Sequence, residues 1–95
     1  MSVIVGTLTM DLYVSDALTL KDKRQVVKSL LGRVGNRFNV SVAEVDRLDN
    51  RQHATLAVAA VANSREHVDR VLNAVLRFCD SDPRAEVTKA EIETD

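Results

Sequence analysis

Polar and apolar positions alternate through VIVGTLTMDLYV (3–14), where Ile4, Gly6, Leu8, Met10 and Leu12 share one face and Val3, Val5, Thr7, Thr9 and Asp11 the other. A period of two in a β-branched run predicts a strand. Past the polar break SDALT the period lengthens, and Leu20, Val27, Leu30, Leu31, Val34 and Phe38 fall on one stripe at helical spacing. Thr19, with Asp22 three residues on, predicts an N-cap with a short acidic capping partner. Gly35 and Asn36 weaken the last turn, so this helix is expected to end near Phe38.

NVSVAEVD (39–46) reads as a second strand whose apolar phase, set by Val40 and Val42, slips before Val45 as a β-bulge would produce. DRLDNRQ (46–52) is a polar connection, and HATLAVAAVAN (53–63) is a third strand with Leu56, Val58 and Ala60 on one face. Their close succession implies an antiparallel hairpin. Ser64 caps a second helix with the stripe Val68, Val71, Leu72, Val75, Leu76 and Cys79, stopped by Pro83. AEVTKAEIE (85–93) alternates Thr88, Ala90 and Ile92 against Val87, Lys89 and Glu91, a short charged strand suited to an exposed position.

The order β-α-β-β-α-β is the split pattern of ferredoxin-like folds. An α+β sandwich is expected, with two helices on one face of a four-stranded antiparallel sheet. Residues 1–95 form a single domain in this reading, without internal repeat, low-complexity segment or linker. A composition of 45% hydrophobic and 28% charged residues is that of a globular rather than a disordered chain. No apolar run approaches the ~20 residues that span a bilayer, and MSVIVGTL lacks the basic flank and long apolar stretch of a signal peptide. A cytoplasmic protein without membrane association is expected. Cys79, the single cysteine, cannot form an internal disulfide or a CxxC clip, in keeping with a reducing compartment and with no metal or cofactor.

A net charge of −1 argues against a generally basic, nucleic-acid-coating protein. The distribution is more informative. Between Leu20 and Arg37, Lys21, Lys23, Arg24, Lys28, Arg33 and Arg37 face one acid, Asp22, for a local charge of +5. From Ala85 onward Glu86, Glu91, Glu93 and Asp95 outweigh Lys89, for −3. The two segments attract, within one molecule or between two.

Cations at the start of a helix oppose its dipole by ~0.3 to 1 kcal/mol each. They are either solvated handles flanking the apolar stripe or, with the helix, a seat for an anion. On a helical wheel Lys21, Arg24 and Lys28 fall on one shoulder of the stripe, with Lys23, Arg33 and Arg37 on the other. The second unusual surface is the uncovered sheet face, where Val3, Val5, Thr7 and Thr9 stand beside Thr55, Ala57, Ala59 and Val61. A solvated sheet face is normally polar, so these positions are expected to meet another subunit in a homo-oligomer.

LKDKR, then KSL, then RFNVSVAEVD, then the third strand HATLAVAAVAN and the helix SREHVDRVLNAVLRF together resemble the YlxP-like family of small bacterial proteins over essentially the whole chain. The resemblance implies a ferredoxin-like fold and, because that family is uncharacterised, carries no activity, cofactor or catalytic residue. The family's genes often lie beside those for translation initiation and ribosome-maturation factors, which implies a ribosomal subunit or structured RNA as partner. In the connection after Asp46, where relatives often carry an aromatic or bulky apolar residue, this chain has Asn50 and Arg51.

Catalytic equipment is thin. His53 begins a strand and His67 sits in the first turn of the second helix, with no nucleophile spaced to meet either, so both read as surface histidines. Cys79 lies on a core stripe. Asp11, Glu44, Asp46 and Asp49 are the acids that could gather around a cation, although acids at strand ends and hairpin connections are commonplace. The phosphate-cradling loop that acylphosphatase carries on this fold needs arginine and glycines that YVSDALT lacks, and no Gly-rich phosphate loop occurs elsewhere. With Tyr13, Phe38 and Phe78 the only aromatics, the base-stacking platform of an RNA-recognition motif is missing. No catalytic residue is assigned. The preferred expectation is non-enzymatic, phosphate-directed binding of structured RNA or a ribosomal particle through the six cations of the first helix. The alternative is a homo-oligomeric regulatory or scaffold module that uses its open sheet to bind a protein or small metabolite.

Overall fold

A computed structural model describes residues 1–95. β1 (Ile4–Tyr13), α1 (Leu20–Arg37), β2 (Ser41–Asp46), β3 (His53–Ala62), α2 (Arg65–Asp80) and β4 (Glu86–Thr94) follow one another as expected. All neighbouring strands are antiparallel and the sheet order is β2-β3-β1-β4. β1 and β3 are the central strands and pair over their full lengths, from Ile4↔Ala62 to Tyr13↔His53. β2 and β4 are the two edges.

The period-two pattern decides which face is covered. Leu8, Met10 and Leu12 of β1 and Leu56, Val58 and Ala60 of β3 are buried under Val27, Leu30 and Val34 of α1 and Val68, Leu72, Val75 and Cys79 of α2. α2 crosses β1, β3 and β4, while α1 lies beside β2 and touches α2. Gly6 marks the closest approach of helix and sheet: a Cβ there would run into Val68 Cγ1 and lie 3.0 Å from Leu72 Cδ1.

The caps form as the sequence predicts. Thr19 Oγ1 accepts from the Asp22 N–H at 3.1 Å, and the Asp22 carboxylate accepts from the Thr19 and Leu18 N–H groups, each at 3.1 Å. Ser64 Oγ accepts from the His67 N–H at 3.2 Å. α1 ends at Arg37 with Phe38 as its C-cap. The slip before Val45 is a bulge, since Glu44 pairs with Leu56 and Asp46 with the next residue back, Thr55.

One strand departs from its expected phase. Asp11 pairs with Lys89 but Leu12 pairs with Val87, so Thr88 is the extra residue of a second bulge. Val87 thereby packs against the core with Ile92, whereas strict alternation put it on the other face with Lys89 and Glu91. The Thr88 hydroxyl donates to the Asp11 carbonyl at 3.3 Å, which ties the bulge to β1.

Candidate nucleic-acid interface

α1 presents its cations in three different settings. Lys21 and Lys28 point outward, exposed and without a carboxylate partner, and Arg24 reaches only the fully solvated Asp49 at 3.6 Å. Such a pair contributes little. Asp22, the one acid of this helix, is engaged by the capping box. The positive field of the outer surface is therefore left largely uncompensated.

Lys23 does not belong to that surface. Its side chain is 0% exposed, and the wheel position that looked like a shoulder lies inside the buried stripe with Val27, Leu30 and Val34. Nζ donates to Glu44 Oε2 at 2.8 Å, to the Arg47 carbonyl at 3.0 Å and to the Leu48 carbonyl at 3.2 Å. All three ammonium donors are thus satisfied. Glu44 occupies a core-facing position of β2, opposite Leu56, where the alternation would otherwise place an apolar side chain. Arg47 adopts φ 61°, in the left-handed region uncommon for a residue with a Cβ, and this turns its carbonyl toward the ammonium. Lys23 is a structural pin between α1 and the β2–β3 connection, not a phosphate contact.

On the flank facing α2, Arg33 and Arg37 set their guanidinium carbons 5.1 and 5.2 Å from the centroid of the Phe78 ring, and Phe38 meets that ring edge-on at 5.8 Å. Arg33 also donates to Asp82 Oδ2 at 3.3 Å. Arg84 holds the same carboxylate through its backbone N–H at 2.9 Å, Nε at 3.0 Å and a terminal nitrogen at 2.7 Å, and reaches Ser29 Oγ at 3.2 Å. Hydrogen bonding from Arg84 is the main cause that holds the Asp82 carboxyl below its usual range, and burial works in the opposite direction. Asp82, Arg84 and Phe78 enter this surface without any local signal in the sequence, because the contacts close over about fifty residues.

Between these flanks the helix is bare. Gly32 and Gly35 face outward, and a Cβ added at either would meet nothing within 4 Å. No packing inside the molecule asks for a glycine there, although glycine in a helix interior costs about 1 kcal/mol relative to alanine.

The acidic last strand does not neutralise the helix. β4 lies on the sheet edge opposite β2, and Glu91 and Glu93 pair with Thr9 and Thr7 on the open face, away from α1. On that face Val5 and Val61 are cross-strand partners and exposed, with Val3 just beyond. Thr7 and Thr9 are exposed, and Ala57 and Ala59 partly so. Thr55 leaves this set: it is buried, and its hydroxyl donates to Asp11 Oδ1 at 2.9 Å. A shallow depression of about 210 Å³ opens beside the valines, where Ala43, Ala57 and Ala59 carry only methyl groups.

The remaining candidates are structurally occupied. His53 stacks on Tyr13 with ring centroids 5.1 Å apart. Cys79 is buried, and desolvation, helped by the charge of Asp82, pushes its thiol up to about 11. Glu44 is committed to Lys23 and Asp11 to Thr55, and no three His, Cys, Asp or Glu side chains converge on one point. No helix is long and apolar enough to cross a membrane.

Comparison with known proteins places this geometry in a family. The designed protein Foldit4 superposes with a TM-score of 0.51 at 16% identity, covering 99% of this chain and 97% of its own, which shows the fold alone. The "Uncharacterized protein YlxP" of Bacillus subtilis (strain 168) is 40% identical over 85 residues, 90% of this chain and 92% of that protein. The family model described as "Protein of unknown function (DUF503)" matches residues 5–92, and the chain belongs to that family.

Proposed function

We propose that this protein is a non-enzymatic binding module that docks structured RNA or a ribosomal particle on the outer surface of α1. The observation that carries the reading is the combination on one helix face of exposed, weakly partnered cations, Lys21, Arg24 and Lys28, with a backbone left bare at Gly32 and Gly35. Cations supply counterion release, and the missing Cβ atoms let a phosphate backbone come into contact with the helix. Recognition is by shape and phosphate, since the one aromatic at the end of β1, Tyr13, is stacked on His53 and β3 offers no Phe, Tyr or Trp.

The test is co-sedimentation of the protein with the small and large ribosomal subunits of its own organism at low and moderate salt. Saturable binding to one particle is expected. Replacing Lys21, Arg24 and Lys28 together by glutamine should weaken it and reduce the salt slope by roughly two to three units. An unchanged affinity and slope in that variant defeats the proposal.

A second reading draws on the open sheet face. Exposed Val5 and Val61 beside an alanine-lined depression give one surface both knobs and a hollow, the self-complementary arrangement an isologous dimer uses. Sedimentation velocity of wild type and Val61→Asp decides it: a dimer that dissociates in the variant supports a sheet-to-sheet homo-oligomer, and a wild-type monomer at high concentration removes it.

A further inference from the structure

The C-terminal half of α1 and the end of α2 border an open surface depression of about 290 Å³ lined by Arg33, Asn36, Arg37 and Phe78. Two guanidinium groups share one ring as their platform. A guanidinium stacked on an aromatic face keeps its N–H edge free for a second partner. Arg37 has no acidic partner, and Arg33 has only one contact at 3.3 Å to a carboxylate that Arg84 already holds by three N–H groups. Arg33, Arg37 and Arg84 against Asp82 leave this corner at +2. Arg37 lies in the last turn of α1, where the helix dipole favours a cation, and the Asn36 amide adds an uncharged donor to the same rim.

We propose that this open depression is a seat for a single phosphate group, gripped by the N–H edges of Arg33 and Arg37 with Asn36 beside them, while Asp82 acts as a positioning residue that steers Arg33. The proposal rests on the reading of α1 as a polyanion surface and names the point where one phosphate is held. Guanidinium forks match phosphate geometry, which a lysine cannot reproduce.

Inorganic phosphate titrated into the full-length protein, followed through the arginine Nε–H resonances, tests the seat directly. Saturable shifts of Arg33 and Arg37 are expected, with binding roughly tenfold weaker in Arg33→Gln and in Arg37→Gln. Arg37→Lys should lose most of that affinity despite its charge. Shifts of equal affinity in wild type and both glutamine variants overturn the seat, as do shifts confined to Arg24.

An RNA hairpin with a 5′-phosphate, compared with the same hairpin ending in a hydroxyl, distinguishes the source. Preference for the phosphorylated form identifies a terminal phosphomonoester, and equal binding that both glutamine variants weaken identifies an internal diester. RNA affinity that survives intact in Arg33→Gln/Arg37→Gln removes the seat and leaves the α1 reading standing. Phosphate binding without affinity for any RNA or ribosomal subunit removes that reading and leaves the seat.

Discussion

Lys23 and Glu44 form a buried ion pair at 2.8 Å that joins the first turns of α1 to the core-facing side of the edge strand β2. The ammonium completes its shell on two carbonyls of the β2–β3 connection, so one side chain ties three elements together. Buried pairs of this kind are weak sources of net stability but costly to break on one side, because the remaining charge has no partner.

Lys23→Met is accordingly expected to destabilise the protein by about 3 to 5 kcal/mol, with Lys23→Met/Glu44→Leu recovering a large part of the loss. Urea unfolding of both variants and of Glu44→Leu gives the coupling. A double variant as unstable as the sum of the singles would show that the pair is not acting as a unit.

Gly32→Ala and Gly35→Ala should each stabilise the fold by about 0.4 to 1 kcal/mol, since both sites are helical and open. If α1 is the docking surface, the same substitutions weaken association with ribosomal particles. Thermal unfolding and co-sedimentation read the two effects separately, and variants that gain stability with full binding would remove the need for a bare helix.

Gly6→Ala should destabilise by about 1 to 3 kcal/mol, because the added carbon enters the Val68 and Leu72 contact and forces α2 away from β1. A stability equal to wild type in chemical denaturation would mean that α2 shifts without penalty.

Two pH effects follow from one corner of the fold. The thiol of Cys79, pushed from 9.0 up to about 11 by burial and then by Asp82, stays protonated in the folded protein over a range where the unfolded chain ionises. Its contribution is complete below pH 9 and is lost as pH rises toward 11, at roughly 1.4 kcal/mol per unit. Urea unfolding from pH 8 to 11 should show this fall in wild type and a shallower one in Cys79→Val. A thiol reagent at pH 8 should modify only unfolded protein.

Asp82 acts at the other end. Its folded value lies below the ordinary 3.8, chiefly through Arg84, so its contribution is present above that pH and disappears as pH falls through the depressed value. Asp82→Asn should flatten the acid limb of the stability curve and lower the neutral plateau. An unaltered acid limb would place the effect elsewhere.

Periodicity and local residue identity determine the element order, both helix caps, the bulge at Val45 and the membership of Cys79 in the core, because each depends on neighbours within a few residues. The chain's family was legible too, from LKDKR and RFNVSVAEVD. Tertiary structure alone decided four other matters. It buried Lys23, whose charge marked it as surface until Glu44 and two carbonyls arrived from more than twenty residues away. It sealed Thr55 against Asp11 and shifted Val87 to the core through a bulge that alternation could not reveal. It also assembled Arg33, Arg37, Phe78, Asp82 and Arg84, which no spacing rule connects. The division is physical: local hydrogen bonding and side-chain period are written along the chain, whereas the partner that satisfies a buried charge is supplied by whatever the fold brings opposite it.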